Sequence, residues 1–153
     1  MTTKFSRRLW VLRNLRRSGF DEDDLVSAYC SLVRPVLEYC AVTFHSMLSI
    51  EQSKWLESLQ KRADRIIYPS YTSYSKTLGR LNIETLSERR LTMITKFIEK
   101  AKTHPTFSEK WFPKKHRNNY NTRHEEKYVQ YKYNTERARK GPLNFFRTIL
   151  NNE

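Results

Sequence analysis

Three glycines in a chain of 153 residues leave no material for a glycine-rich loop, which excludes the phosphate cradles of P-loop and dinucleotide-binding proteins. There are only two cysteines, Cys30 and Cys40. On one helix their spacing amounts to about 15 Å, beyond disulfide reach, and both read as small buried apolar side chains in a reducing compartment. No apolar run approaches the roughly 20 residues that span a bilayer, and the N-terminal stretch has no apolar secretory core. An intracellular protein, nuclear or cytoplasmic, with no membrane span is therefore expected. His45, His104, His116 and His124 fall at no zinc-ligand spacing with cysteine or acid. No YxDD-like aspartate pair on strand-patterned sequence offers a polymerase metal site, and Asp21, Glu22, Asp23 and Asp24 fan around a helix start instead of converging. No local signature marks a Ser-His-Asp or Cys-His site. Neither a metal nor a cofactor is expected, and the chain reads as a non-enzyme.

Acids are also scarce: 16 Asp and Glu stand against 29 Lys and Arg, for a net charge of +13 at pH 7. A polyanion, RNA or DNA backbone, is the first partner this suggests, ahead of an acidic protein or a membrane surface. Hydrophobic and aromatic contents of 38% and 13% suffice for one domain with a modest core and no second full one.

Helical periodicity dominates what is present. From Asp21, a plausible N-cap followed by three acids, Leu25, Tyr29, Leu32, Val33, Val36, Leu37 and Cys40 recur at steps of three and four. Pro35 inside that stripe predicts a kink or a break. Ser49 with Gln52 forms a capping box for a helix placing Trp55, Leu56, Leu59, Ala63, Ile66 and Ile67 inward. Lys54, Glu57, Lys61, Asp64 and Arg65 then form a solvated, mixed-charge face. Lys4 to Ser18 is a further helix, with Phe5, Leu9, Leu12 and Leu15 inward and Gly19 as its stop. Its charges, Lys4, Arg7, Arg8, Arg13, Arg16 and Arg17, are all of one sign. This is either a solvated basic face or a phosphate-facing ridge on which Trp10 stacks a base or packs on another body.

Residues 68–82 read as a polar connection with one short helix, Tyr74 to Leu81. Thr85 with Glu88 caps a helix that turns Leu91, Ile94, Ile98 and Ala101 inward, with Phe97 beside them, and ends at His104-Pro105. From Thr106 to Lys140 periodicity fades and aromatics interleave with cations: Trp111, Phe112, Tyr128, Tyr131 and Tyr133 among Lys114, Lys115, Arg117, Arg123 and others. That composition suits a single-stranded nucleic-acid surface, and equally a mobile tail that packs a few rings onto a helical body. Gly141-Pro142 opens a terminal helix with Leu143, Phe146, Ile149 and Leu150 on one side.

Three stretches carry a resemblance: RLWVLRNLRRSGF (8–20), SAYCSLVRPVLEYCAVTFHSML (27–48) and SIEQSKWLESLQKRADRII (49–67). With the RxLxxLRxLRRxG opening, the YxxxVRxxLEYC core and the LExxQKRAxRII run, they resemble the region after the polymerase palm in reverse transcriptases of non-LTR, LINE-type retrotransposons, especially the jockey-like branch. The resemblance continues more weakly through LGRLNIETLSERR and FRTILN. It implies a helical thumb and a following C-terminal segment, without catalytic carboxylates and without the zinc ligands that some related elements carry.

The expectation is an all-α fold of about four to six helices: a thumb-like body over 1–105, a basic aromatic-rich segment over 106–140, and a terminal helix over 141–153 docking on the body. Phe5, Leu9, Tyr29, Leu32, Val36, Leu37, Leu56, Leu59, Ile66, Leu91, Ile94 and Ile98 are the expected core. Nucleic-acid contacts are expected from Arg7, Trp10, Arg13, Arg16, Arg17, Lys114, Lys115, Arg117, Arg123, Tyr128 and Tyr131, holding template-primer or RNA, with a polymerase palm supplied in trans as a possible partner. A helical protein-interaction module, or a transposon relic with no activity of its own, is the alternative. Oligomeric state is left open.

Overall fold

In the computed structural model the described residues are 2–70, 73–114 and 128–152, and they form an all-α fold. The elements are α1 (Thr2–Arg17), α2 (Glu22–Ala28), a π-helical segment (Tyr29–Val33), α3 (Arg34–Glu38), α4 (Ala41–Phe44), a 3₁₀ turn (His45–Met47), α5 (Ile50–Ile67), α6 (Tyr74–Leu81), α7 (Leu86–Thr103), α8 (Pro105–Trp111), α9 (Glu136–Arg139) and α10 (Pro142–Asn152). The chain sorts into two compact units, Met1–Ala41 with Leu48–Leu91, and Val42–Met47 with Thr92–Glu153. This partition differs from the expected one, because the division falls inside α7 and not at its end.

In the first unit, local chemistry sets the helix ends. Gly19 adopts φ +86°. The Phe20 N–H reaches the Leu15 carbonyl at 3.3 Å and the Gly19 N–H reaches Arg16 at 3.1 Å, a left-handed stop that only glycine adopts at no cost. Asp21 accepts from the Asp24 N–H at 2.8 Å. The Pro35 break takes the form of a wide turn. Arg34 donates its N–H to the Tyr29 carbonyl five residues back, so the helix opens just where the proline ring would press on the preceding turn. Ser49 and Gln52 satisfy each other's backbone at 2.9 and 3.1 Å, and Thr85 and Glu88 do the same at 3.1 and 3.2 Å. Leu25, Tyr29, Val33 and Leu37 are buried to within 1% and pack with Phe5, Leu9 and Leu12 of α1 and the Leu56, Leu59 and Ala63 stripe of α5.

Several side chains lie elsewhere than expected. Leu91 is 42% exposed and Arg90 fully buried: the α7 stripe steps by four through Leu86, Arg90 and Ile94, which leaves Leu91 about 100° further round. Trp55 is one position off the Leu56–Leu59–Ala63 line and is exposed. Leu32, Val36 and Ile66 are half-buried. Cys40 is exposed, with φ +57°, in the turn after α3, and Cys30 is half-buried. Cys40 lies past the end of α3 at Glu38, and Cys30 lies within the π-helical segment.

In the second unit Ile94, Ile98 and Ala101 of α7 pack with Phe112 and with Phe146 and Leu150 of α10. Leu143 and Ile149 lie beside them, as the α10 pattern predicted. Arg147, only 2% exposed, donates its Nε–H to the Trp111 carbonyl at 2.8 Å and so closes the C-terminal end of α8. Ile94 and Ile98 thus belong to a core of their own.

Leu37 and Leu59, 0% and 5% exposed, bear directly on the first core. Truncating either to alanine should cost about 2–5 kcal/mol, read as a lowered denaturation midpoint with an unchanged denaturant slope. A variant melting within a degree or two of the parent would mean that these faces are assigned wrongly.

Candidate functional site

Phe5, Leu9 and Leu12 roll α1 so that every charge on its remaining surface is cationic. Arg7, Arg13 and Arg17 are exposed, and Trp10 among them is 61% exposed. Spaced at i, i+3, i+6 and i+10, they form one strip about 15 Å long, the axial rise of about four successive phosphates on a strand. Among the described residues no acid lies within ion-pairing distance of Arg7, Arg13 or Arg17. Guanidiniums held apart from acids keep their forked donors for bidentate oxygen contacts.

Arg16 is different. Its Nη1 donates to the Ile66 carbonyl at 2.9 Å and to the Ile67 carbonyl, so this nitrogen is spent on the C-terminal end of α5 and its side chain is half-buried. Arg8 likewise donates Nη1 to the Leu32 carbonyl at 3.0 Å, an acceptor in the widened turn.

The remaining expected residues belong to the second unit. Lys114 is exposed and bridges to Tyr128. Tyr128 is half-buried: its ring meets Phe112 edge-on at 6.2 Å, and Asn151 holds its backbone from both sides at 2.9 and 3.2 Å. Both residues line a cleft of about 630 Å³ with Lys102, Ser108 and Phe112. Tyr131 is 50% exposed, its ring covered on one side by the Arg147 guanidinium at 4.6 Å. Lys115, Arg117 and Arg123 lie outside the described residues, as do His116 and His124. From the N-cap of α8 along the helix, His104, Phe107 and Trp111 stack in succession at 4.4 and 4.3 Å, a ring ladder that the fading periodicity of this region concealed.

The face of α5 read as solvated is partly enclosed. Asp64 is fully buried and Glu57 half-buried, with α6 packed on α5 and the start of α7 reaching Glu57. Glu57 accepts from the Tyr74 hydroxyl at 2.7 Å and from the Ser87 N–H at 2.8 Å, and Lys61 lies over the Tyr74 ring at 4.7 Å. Arg90 donates to Ser53 Oγ at 3.1 Å, and burial lowers the pKa of its guanidinium. Neither Asp64 oxygen has a hydrogen-bond partner among the described residues. Burial, with the Glu57 charge adding to it, pushes the Asp64 carboxyl from 3.8 up to about 7. Burial also raises the hydroxyl of Tyr29, again with Asp64 adding to it. The carboxyl is fully enclosed, so its perturbation bears on stability.

Among the described residues no three His, Cys, Asp or Glu side chains gather as a metal site, and no single helix is long and apolar enough to cross a membrane. The chain matches no protein-family model, no curated protein and no solved structure.

The enclosed carboxyl fixes a sign for pH dependence. Folded Asp64 binds its proton more tightly than the unfolded chain does, so its contribution is lost as pH rises from about 4 to about 7. Asp64→Asn should match the wild type in stability near pH 4 and exceed it increasingly up to pH 7. At about 1.4 kcal/mol per pH unit the gap approaches roughly 4 kcal/mol. Denaturant titrations of both proteins across this range would show it, and a gap independent of pH would contradict it.

Proposed function

We propose that this chain is a non-catalytic nucleic-acid-binding module, thumb-like in the sense of the LINE-type reverse transcriptases that its sequence resembles. It holds RNA or template-primer through phosphate contacts and works inside the cell, in nucleus or cytoplasm, with a polymerase palm as a partner in trans. The observation that carries this reading is the exposed strip Arg7–Trp10–Arg13–Arg17, with no acid paired to its guanidiniums among the described residues. The net charge of +13 supplies long-range attraction to a polyanion, and the exposed indole supplies a stacking face among the cations. Phosphate contacts of this kind position a protein without reading bases. The absence of a paired-aspartate motif from the sequence is the reason for reading the module as non-catalytic.

A second reading, a helical protein-interaction module, is favoured by Ile50 and Trp55 on α5, 76% and 43% exposed. The two stand about 140° apart around α5, so each would be a separate apolar anchor for a protein partner.

Filter-binding titrations over a range of salt concentrations separate the two. Replacing Arg7, Arg13 and Arg17 together with alanine should weaken binding to all sequences alike and reduce the slope of log affinity against log salt by about two units, at roughly 0.7–0.9 for each phosphate no longer neutralised. The control removes the same charge from Lys54, Lys76 and Lys96, exposed lysines on three different helices. Equal weakening with equal slopes would reduce the attraction to net charge and overturn the strip as a site. No binding by the wild type would leave the protein-interaction reading.

A further inference from the structure

Tyr39 is 73% exposed, more than any other aromatic side chain among the exposed large hydrophobics. It follows the last residue of α3, where ψ turns to 124° and carries it off the helix, and no hydrogen bond holds its hydroxyl among the described residues. Beside it lies a groove of about 460 Å³ between α1 and α3, lined by Pro35, Val36 and Tyr39 and by the cations Lys4 and Arg8. No acid lines it. Arg8 is anchored through Nη1 to the Leu32 carbonyl, which fixes the guanidinium at the groove while its other N–H groups remain to donate.

We propose that this groove takes one unstacked nucleobase of a single-stranded nucleic acid, laid against the Tyr39 ring over Pro35 and Val36, with the neighbouring phosphates on Lys4 and Arg8. That assignment rests on the nucleic-acid reading of α1 and narrows it to single strands. A base needs a flat partner and an apolar floor, and a phosphate needs a positioned cation; the groove supplies all three. Lys4 and Arg8 lie about 40° apart around α1 and Arg7 about 60° beyond Lys4, so the cations of the groove adjoin the start of the Arg7–Trp10 strip, with exposed Val11 beside them. A duplex keeps its bases stacked inside and has none to insert. An acidic peptide complements the cations but has no use for the ring.

The test uses fluorescence anisotropy with a labelled oligothymidylate, an abasic strand of the same length and a duplex, and with unlabelled polyglutamate as competitor. Tyr39→Ala should weaken oligothymidylate binding about tenfold, the effect of one base left unstacked. The salt slope should not change, because every phosphate keeps its cation. Binding to the abasic strand and the duplex should be unchanged, and Tyr39→Phe should behave as wild type. Since the ring packs on no core, the variants should fold, which a thermal melt checks. Equal weakening for all three nucleic acids, no weakening at all, or competition by polyglutamate as strong as by oligothymidylate overturns the proposal. If Tyr39→Ala is silent while the Arg7, Arg13, Arg17 triple variant binds more weakly and with a flatter slope, only the base site fails. If the triple is silent too, the reading of α1 fails with it.

Discussion

The roll of α1 about its axis decides what the first unit shows to its surroundings. Two things set that roll: burial of Phe5, Leu9 and Leu12, and the Arg16 guanidinium at the carbonyls that end α5. The last carbonyls of a helix have no partner in their own ladder, and a charged donor there adds to the macrodipole a favourable interaction that water would otherwise supply. With that side of α1 committed, Arg7, Trp10, Arg13 and Arg17 have nowhere to face but outward. The fold and the candidate interface are two sides of one helix.

The basic composition overstates the charge available to a partner. Arg16 and Arg147 close the ends of α5 and α8, Arg34 and Arg89 converge on the buried Glu38, and Arg90 is fully enclosed. Arginine suits such posts because its fork satisfies several acceptors at once and its charge is weakly hydrated, whereas lysine keeps its hydration and stays outside. In this chain much of the guanidinium inventory acts as internal scaffold, and a site must be sought among the arginines left over.

What was legible in the sequence was local. The caps at Asp21, Ser49 and Thr85, the stop at Gly19, the short helix from Tyr74 to Leu81 and the terminal helix after Gly141 depend on residues within a turn of each other, and the structure places them as read. The failures arose where distant packing decides. Asp64 sits on the polar side of α5 by periodicity, yet it is fully buried in a unit where α6 packs on α5. A leucine beside an arginine is the natural choice for the inward position, but on α7 the register favours Arg90 over Leu91. Two cores instead of one follow from where α7 passes from one unit to the other, which no periodicity encodes. Within the candidate site, Arg7, Trp10, Arg13 and Arg17 could be read from the wheel. Arg16 could not, because its acceptors lie 50 residues away or more.

The wide turn before Pro35 bears on chain length. Leu25, Tyr29, Val33 and Leu37 follow one another at four-residue steps, and every one is buried. A regular helix drifts by about 40° at each such step, so the line could not hold over this distance without a segment that winds more slowly, which Tyr29–Val33 provides. Measured this way the segment is one residue longer than an ordinary helix needs. Removing a residue from it turns one step of four into a step of three, and the same side chains then share a single face of a straight α-helix. The register of this core is therefore compatible with two lengths of chain, and in the longer one the Leu32 carbonyl, inside the wide turn, accepts from Arg8.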